Sequence, residues 1–516
     1  MASAALVHSR RFALRASSLM EWRFASPALV LGLMGLSIFL RTRELHAAFW
    51  IDEGLSVGIA HHHWTAIPHL LRQDGSPPAY YMLLGLWIRV FGDSIEATHL
   101  LSLIFAVGCI PLAYCVGRVA FDRVTSWYCA ALAAFDPYLT YYAQETRMYS
   151  LEAFLGLFAT LAWLRGIADG RRRWLPVLAV VLALMVYVHN WALFLCVGMA
   201  VATAFFRRER LRDFLFVGVA VIVLYIPWLP TLLSQAKHTG APWATRPNFH
   251  DLVLAPGAVL SGDAPLMAFA LAGGVGLAAV VRRRHDRERM LVLSLTAIVG
   301  ATVCAAWIES QVSPAWATRY FAVVLGPLLL VGSRALFRAQ RLGAFALVAI
   351  VFLWFGFQLK DNKENVNRLA TALTPYVHPG TLVVSTHPEQ VPVLRYYLGP
   401  GLRWANTLGP VPDSRIFDWV DAVSRLRATP PRRTLDRLLA TVPRGQDFIV
   451  FTPVFRDYRS WKSPWTKLVW KTSERWSALL ASDPRVHLLR QVTTDEVAVQ
   501  ENYFKLMQAF VYRRVR

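Results

Sequence analysis

Acidic side chains are scarce in this chain. It carries 33 Asp and Glu against 54 Lys and Arg in 516 residues, a net charge of +21, and only 17% of its residues are charged. Cysteine is scarcer still. The five, Cys109, Cys115, Cys129, Cys196 and Cys304, all fall in apolar segments, which excludes a disulfide framework and leaves them as small packing residues. There is no internal repeat and no long low-complexity tract. The apolar run 28–40 is followed by no clear small-residue cleavage signal, so with Arg10, Arg11, Arg15 and Arg23 before it the run reads as a retained signal-anchor and first span. Apolar residues are abundant instead: 55% are hydrophobic, 13% aromatic, and the mean hydropathy is +0.39. Repeated apolar runs at that level mean an integral membrane protein.

A span takes about 20 apolar residues. The expected spans are 26–41, 97–121, 124–143, 148–166, 174–190, 191–206, 214–233, 265–281, 290–308, 320–335 and 343–359, about eleven. The run 78–91 follows Pro77-Pro78, is short and carries Arg89, which favours a helix lying at the interface. The distribution of Lys and Arg supports that choice. With 78–91 excluded, one set of loops collects Arg118, Arg123, Arg165, Arg171, Arg172, Arg173, Arg207, Arg208, Arg210, Arg212, Arg282, Arg283, Arg284, Arg287, Arg289, Arg334, Arg338 and Arg341. The opposite loops hold Arg41, Arg43, Arg72, Arg89, Arg147, Lys237, Arg246 and Arg319. The first set is then cytoplasmic, as is the N-terminus, and no nucleic-acid partner is needed to explain the basic balance. The division expected is 1–359 in the membrane, with an outer loop 42–96 of interfacial helices, and 360–516 outside. In the latter, short apolar runs at 381–385, 448–451 and 486–489 alternate with helical-looking stretches such as 415–427, which reads as a small α/β domain. Thr429-Pro430-Pro431-Arg432-Arg433 reads as a surface loop.

The rare acids then matter. Asp52 and Glu53 follow the first span, and ionised groups near a bilayer are costly. At the same outer level lie Asp74, Glu145, Arg147 and Tyr149, His189, Glu309, and Arg319 with Tyr320. Carboxylates that can act as base or metal ligand, gathered with arginines suited to phosphate, fit a site for an anionic membrane-borne substrate. Plainer roles stay open. Asp52-Glu53 suits a helix N-terminus, Glu145 and Arg147 suit an ion pair at a span end, and Arg319 suits a headgroup contact. His189 suits a satisfied interfacial residue, and Asp136 before Pro137 suits a helix break. His61, His62 and His63 are adjacent, so on a helix they point different ways and make a poor metal site.

Several motifs together resemble the membrane glycosyltransferases of the GT-C class, closest to the protein O-mannosyltransferases and the bacterial lipid A aminoarabinose transferases, a glycosyltransferase family 39-like group. They are Asp52-Glu53 after span one, Pro77-Pro78-x-Tyr80-Tyr81 leading to Trp87 and Phe91-Gly92, Gln144-Glu145-x-Arg147-Met148-Tyr149, and Arg319-Tyr320 opening a late span. The resemblance covers about residues 25–340. It implies a polytopic α-helical GT-C fold in a bacterial inner membrane, with an extracytoplasmic α/β domain. It implies an inverting transfer of a hexose or pentose from a polyprenyl-phosphate donor to a lipid, glycan or protein acceptor. Asp52 would be the general base, and Glu53 would raise its pKa, orient the acceptor or hold a metal. Arg147 and Arg319 would neutralise the phosphate, with Glu145 orienting Arg147 and His189 bonding phosphate or metal. No cofactor is certain; a divalent metal ion is the one candidate. The chain departs from the group at Gly75-Ser76, where relatives often carry His or Glu-Lys, at His99, where they often carry Arg, and at Asp136, where they often carry Asn. A transporter or flippase of lipid-linked sugars is the alternative, although transporters place charge near the midplane and show repeated halves.

Overall fold

Side-chain oxygens start the long helices. Ser94, Asp122 and Asp286 each accept a hydrogen bond from a first-turn backbone N–H, from Ala97, Thr125 and Glu288 at 3.2, 2.8 and 3.2 Å. The computed structural model describes residues 25–282, 286–356, 363–455, 458–494 and 505–516. Arg10, Arg11, Arg15, Arg23, Arg283, Arg284 and the far end of the last expected span lie outside them.

The first part of the chain is helical. Its helices are α1 (Ala25–Arg41), α2 (Ile51–Ala60), α3 (Ile67–Asp74), α4 (Ala79–Phe91), α5 (Ile95–Ala120), α6 (Arg123–Phe135), α7 (Pro137–Tyr142) and α8 (Tyr149–Trp163). They continue as α9 (Leu175–Val188), α10 (Ala192–Phe206), α11 (Leu211–Tyr225), α12 (Leu229–His238), α13 (Phe249–Leu260), α14 (Asp263–Ala268), α15 (Gly274–Val281), α16 (Arg287–Val312), α17 (Ala322–Arg338) and α18 (Gln340–Phe355). Among the described residues five helices are long and apolar enough to cross a membrane: Ile95–Ala120, Tyr149–Ala168, Asp263–Val281, Arg287–Val312 and Thr318–Arg338. A bent pair, Arg208–Tyr225 with Leu229–His238, makes a sixth if counted as one span. Helix α4 has 13 residues, about 20 Å at 1.5 Å each, too short for a hydrocarbon core of about 30 Å.

Two expected spans are not single straight helices. The run 124–143 breaks at Asp136-Pro137, where the ring of Pro137 cannot continue the ladder and Asp136 accepts from the Tyr138 N–H at 2.7 Å. Asp136 is thus a cap at the break. The run 214–233 bends by 78° between Tyr225 and Leu229, around Pro227. Arg41, expected as an outer-loop charge, is fully buried. Its guanidinium donates to Ala106 O at 2.9 Å, Ala133 O at 2.6 Å and Thr140 at 3.5 Å, pinning the end of α1 to α5, α6 and α7. At the opposite ends of the helices, Arg334 and Arg338 pair with Glu288, and Arg287 and Arg165 pair with Asp169.

The last part is a helix-flanked sheet. It contains α19 (Val366–Leu373), β1 (Leu382–Ser385), α20 (Val391–Leu398), β2 (Arg403–Asn406), β3 (Gly409–Pro410), α21 (Ala422–Ala428), α22 (Pro431–Ala440), β4 (Asp447–Pro453), α23 (Pro464–Ser482), β5 (Val486–Val492) and β6 (Met507–Arg514). The strand order is β3-β2-β1-β4-β6-β5. Strand β1 runs parallel to β2 and β4, and β6 is antiparallel to both β4 and β5. The pleat separates two faces. Leu382, Val384, Phe448 and Val450 pack under α22 and α23, while Val383, Ile449, Phe451 and Val511 join the core shared with the membrane part. Two local expectations change: of 415–427 only Ala422 onward is helix, and Pro431 opens α22, since proline is tolerated in a first turn.

The sheet part seats directly on α2. A Cβ on Gly54 would lie 2.5 Å from Val393 Cβ, and one on Gly58 would lie 2.0 Å from Arg415 O. Only glycine permits that approach. Around it the Phe49 N–H donates to Tyr397 Oη at 2.7 Å, and Trp419 N–H to Gln73 O at 2.8 Å. The helix that carries Asp52 is therefore clamped between the two parts of the chain.

Candidate functional site

Helix α2 begins with its acids because Trp50 is extended and the first-turn N–H groups need acceptors. The two neighbours then diverge. Glu53 is fully buried. Its Oε1 accepts from Thr146 N–H at 2.7 Å and lies 2.6 Å from His99 Nε2; its Oε2 lies 2.9 Å from Lys363 Nζ and accepts from Trp50 N–H at 3.4 Å. Burial alone would raise this carboxyl, but Lys363 and His99 overcome it and hold the group well below the usual range. The other His99 nitrogen faces Leu45 O at 2.6 Å. Lys363 also donates to Gln144 O at 2.6 Å. Every face of Glu53 is occupied by protein, and the group ties α2 to α5, to the 143–148 turn and to Lys363.

Asp52 points the other way, with its side chain 23% exposed. Its Oδ2 lies 3.9 Å from Arg147 Nη2 and 3.7 Å from Arg319 Nη2. These are ion-pair distances, too long for hydrogen bonds, so the carboxylate stands between two cations with its acceptor positions open.

Arg147 is anchored from one side. Its Nη1 donates to Ser56 Oγ at 2.8 Å, Tyr81 Oη at 3.2 Å and Asp52 O at 3.3 Å. Ser56 is four residues after Asp52 and so shares its helix face. The Tyr81 hydroxyl in turn lies 3.1 Å from Ser76 Oγ and 3.5 Å from Asp74 Oδ2. Asp74 thus stands behind Arg147, and burial pushes its carboxyl up against the pull of Ser76 and Arg147. Arg319 is held by rings: its guanidinium carbon lies 4.6 Å from the Trp243 centroid, 5.3 Å from Tyr320 and 5.7 Å from Trp50. Both arginines keep a buried Nε–H with no hydrogen-bond partner among the described residues.

Aromatic rings complete the wall. Tyr149 is buried, 5.8 Å from the Arg147 guanidinium, and its ring meets His189 at 6.1 Å and Tyr320 at 6.2 Å. The His189 ring lies 4.5 Å from that of Tyr320, tilted by 45°, and its Nδ1 accepts from Trp191 N–H at 3.2 Å. Glu309, near the C-terminal end of α16, is not among the partners of Asp52, Arg147 or Arg319.

Glu145 is placed differently from expectation. It forms no ion pair with Arg147, whose side chain turns to Ser56 and Tyr81. It is buried, with both carboxylate oxygens lacking a hydrogen-bond partner among the described residues, and burial, opposed by Lys363, pushes its pKa up to about 7. The His61-His62-His63 side chains do point apart: His61 meets Asp93 at 2.9 Å, His62 meets Asp413 at 2.6 Å and His63 meets Thr65 at 2.7 Å. Among the described residues no group of three or more His, Cys, Asp or Glu is placed to hold a metal ion.

Sequence reading missed Lys363, Glu364 and Lys505. Ile51 N–H donates to Glu364 Oε1 at 3.0 Å, and Lys505 Nζ lies 3.7 Å from the Trp50 ring centroid. No local pattern marks them, because they lie more than 300 residues from α2 in sequence. Ser56 was detectable from its i+4 spacing.

An apolar cavity of about 250 Å³ lies between α13, α16 and α17. It is lined by Ala255, Val259, Val303, Phe321, Val324 and Leu328, among others. Phe321 is two residues from Arg319.

Residues 75–232 match the family model described as dolichyl-phosphate-mannose-protein mannosyltransferase. No curated protein sequence matches the chain. Among solved structures, ArnT from Cupriavidus metallidurans in the apo state aligns with a TM-score of 0.63 at 12% identity, over 94% of this chain and 98% of that one. The same protein bound to undecaprenyl phosphate aligns at 0.60 and 12%, over the same shares. The apo oligosaccharyltransferase of Archaeoglobus fulgidus aligns at 0.54 and 14%, over 87% of this chain and 72% of that one. At such identities the likeness is one of fold. The family match and the fold agree with the resemblance carried by the motifs.

Proposed function

We propose that this chain, which has the fold of the GT-C glycosyltransferases and carries the mannosyltransferase family match across residues 75–232, is a polyprenyl-phosphate-sugar-dependent glycosyltransferase. One observation carries the reading. Asp52 stands partly exposed between two guanidinium groups, and each keeps a buried N–H donor that nothing among the described residues satisfies. Buried donors are normally paired, so the pair suits an anion that arrives with the substrate. The apolar cavity at Phe321 suits the start of an isoprenoid tail. Undecaprenyl phosphate, bound in the Cupriavidus structure, has both chemistries.

The reaction in this reading is a single displacement. The acceptor hydroxyl oxygen attacks the anomeric carbon, the bond from that carbon to the phosphate oxygen breaks, and the electron pair leaves with polyprenyl phosphate. Asp52 takes the acceptor proton, and a single displacement inverts the anomeric centre. Arg147 and Arg319 meet the charge that develops on the phosphate, the kind of fixed electrostatic stabilisation that usually contributes most. Glu53, Ser56 and Tyr81 hold those groups in place. His189 and Tyr149 line the wall, and Asp74 supports Arg147 through Tyr81. The sugar is a hexose or pentose and the acceptor a lipid, glycan or protein.

The surrounding architecture belongs to the same proposal: about eleven spans within residues 1–359, an N-terminus in the cytoplasm, a bacterial inner membrane, and residues 360–516 outside. The Arg-rich helix ends support that orientation. Charges at the outer boundary and the lack of a repeat weigh against a transporter. The test is to incubate the purified protein with a panel of polyprenyl-phosphate sugars and candidate acceptors and to measure release of polyprenyl phosphate. Acceptor-dependent release is expected with at least one sugar; none across the panel, with donor translocation in vesicles, would favour the transporter.

A further inference from the structure

Lys505 lies two residues before β6, far from the membrane helices in sequence, yet its ammonium stands at the site. Its Nζ is 3.7 Å from the centroid of Trp50, the indole that Arg319 also covers and that lies two residues before Asp52. The backbone there is fixed. Lys505 O accepts from Gln390 Nε2 at 3.3 Å, Met507 exchanges hydrogen bonds with Asn365 at 2.9 and 2.7 Å, and β6 pairs with β4 along its length.

The two lysines of the C-terminal part differ. Lys363 is satisfied by Glu53 and Gln144 O. The Lys505 ammonium, with three donors to place, makes no hydrogen bond or ion pair among the described residues. Around it stand Asp52, Arg319, and two buried acids with unpartnered oxygens, Glu145 and Glu364. Burial pulls the Lys505 ammonium down and pushes both acids up. This cluster is short of hydrogen bonds, and it adjoins Arg319, one of the two arginines with an orphaned donor.

We infer that Lys505 is a third cationic ligand of the donor phosphate, so that the C-terminal sheet completes the phosphate site instead of merely covering it. The inference rests on the glycosyltransferase reading and assigns its phosphate one more partner. A lysine suits the task as a compact charge on a flexible stem beside two planar guanidinium groups. The competing role is packing over Trp50 and balancing Glu145 and Glu364.

Full-length protein in nanodiscs is titrated with undecaprenyl phosphate and, separately, with undecaprenol, for wild type, Lys505→Met and Lys505→Arg. The Lys505→Met variant is expected to bind the phosphate about tenfold more weakly, as for loss of one charge-assisted contact. Undecaprenol binding should stay unchanged, and Lys505→Arg should recover most of the loss. Unchanged phosphate binding by Lys505→Met, or equal weakening toward both lipids, would overturn the inference while leaving the glycosyltransferase reading intact. Wild type without preference for the phosphate over the alcohol would overturn both.

Discussion

Replacing Glu53 by Gln separates support from chemistry. The carboxylate is fully buried, takes hydrogen bonds from Thr146 and Trp50, and meets His99 and Lys363 at 2.6 and 2.9 Å. Removing its charge leaves the Lys363 ammonium, only 9% exposed, without its counter-ion. Breaking one partner of a buried pair costs about 3–5 kcal/mol. At roughly 2 °C per kcal/mol for a large domain, the melting temperature in detergent should fall by about 5 °C or more. The double variant Glu53→Gln with Lys363→Met removes both charges and should recover a good part of that loss, giving a coupling of about 1–3 kcal/mol in the cycle. The pH dependence has a definite sign. The folded-state pKa is depressed, so the stabilisation is complete above about pH 5 and fades as pH falls below the unfolded value of about 4.3. A Glu53→Gln protein that melts like wild type yet loses all turnover would refute the argument and return Glu53 to the reacting groups.

Glu145→Gln should raise the melting temperature at pH 8.5 and leave it near wild type at pH 5. The folded pKa of Glu145 is raised to about 7, so the native state holds its proton longer and loses stability as pH climbs from about 4.3 to 7; a lower melting temperature at pH 8.5 would contradict this. Gly58→Ala places a Cβ against Arg415 O and should cost about 1–3 kcal/mol of overpacking. Faster protease cleavage within residues 360–516 should accompany it. Arg147→Ala should weaken binding of polyprenyl phosphate by about tenfold or more, measured by titration, whereas Ser56→Ala, which removes one of three anchors of Arg147, should weaken it less.

Much of the site was legible because its pieces sit at helix ends. Asp52, Arg147 and Arg319 each follow or precede an apolar run, and such boundaries can be read from composition alone. Their pairing of charge was legible too. The separation of Glu145 from Arg147 was not, because neighbours in a turn can face opposite directions, and Arg147 meets Ser56 and Tyr81 instead. The helix break at Pro137 was legible as one role open to Asp136, whereas the bend at Pro227 was hidden by continuous hydropathy, which measures apolarity and not geometry. The sheet's central strands β1 and β4 showed as short apolar runs, but β2 and β6 are mixed in polarity and gave no such signal. Lys363 and Lys505 were invisible for a different reason: only the docking of the C-terminal sheet on Gly54 and Gly58 brings them to α2.

The most direct measurement compares wild type with Asp52→Asn for acceptor-dependent release of polyprenyl phosphate, with donor binding followed in parallel. Loss of a general base should slow release by about 10²–10⁴-fold while donor affinity changes little. Release at the wild-type rate from a folded Asp52→Asn protein would contradict the account at its centre.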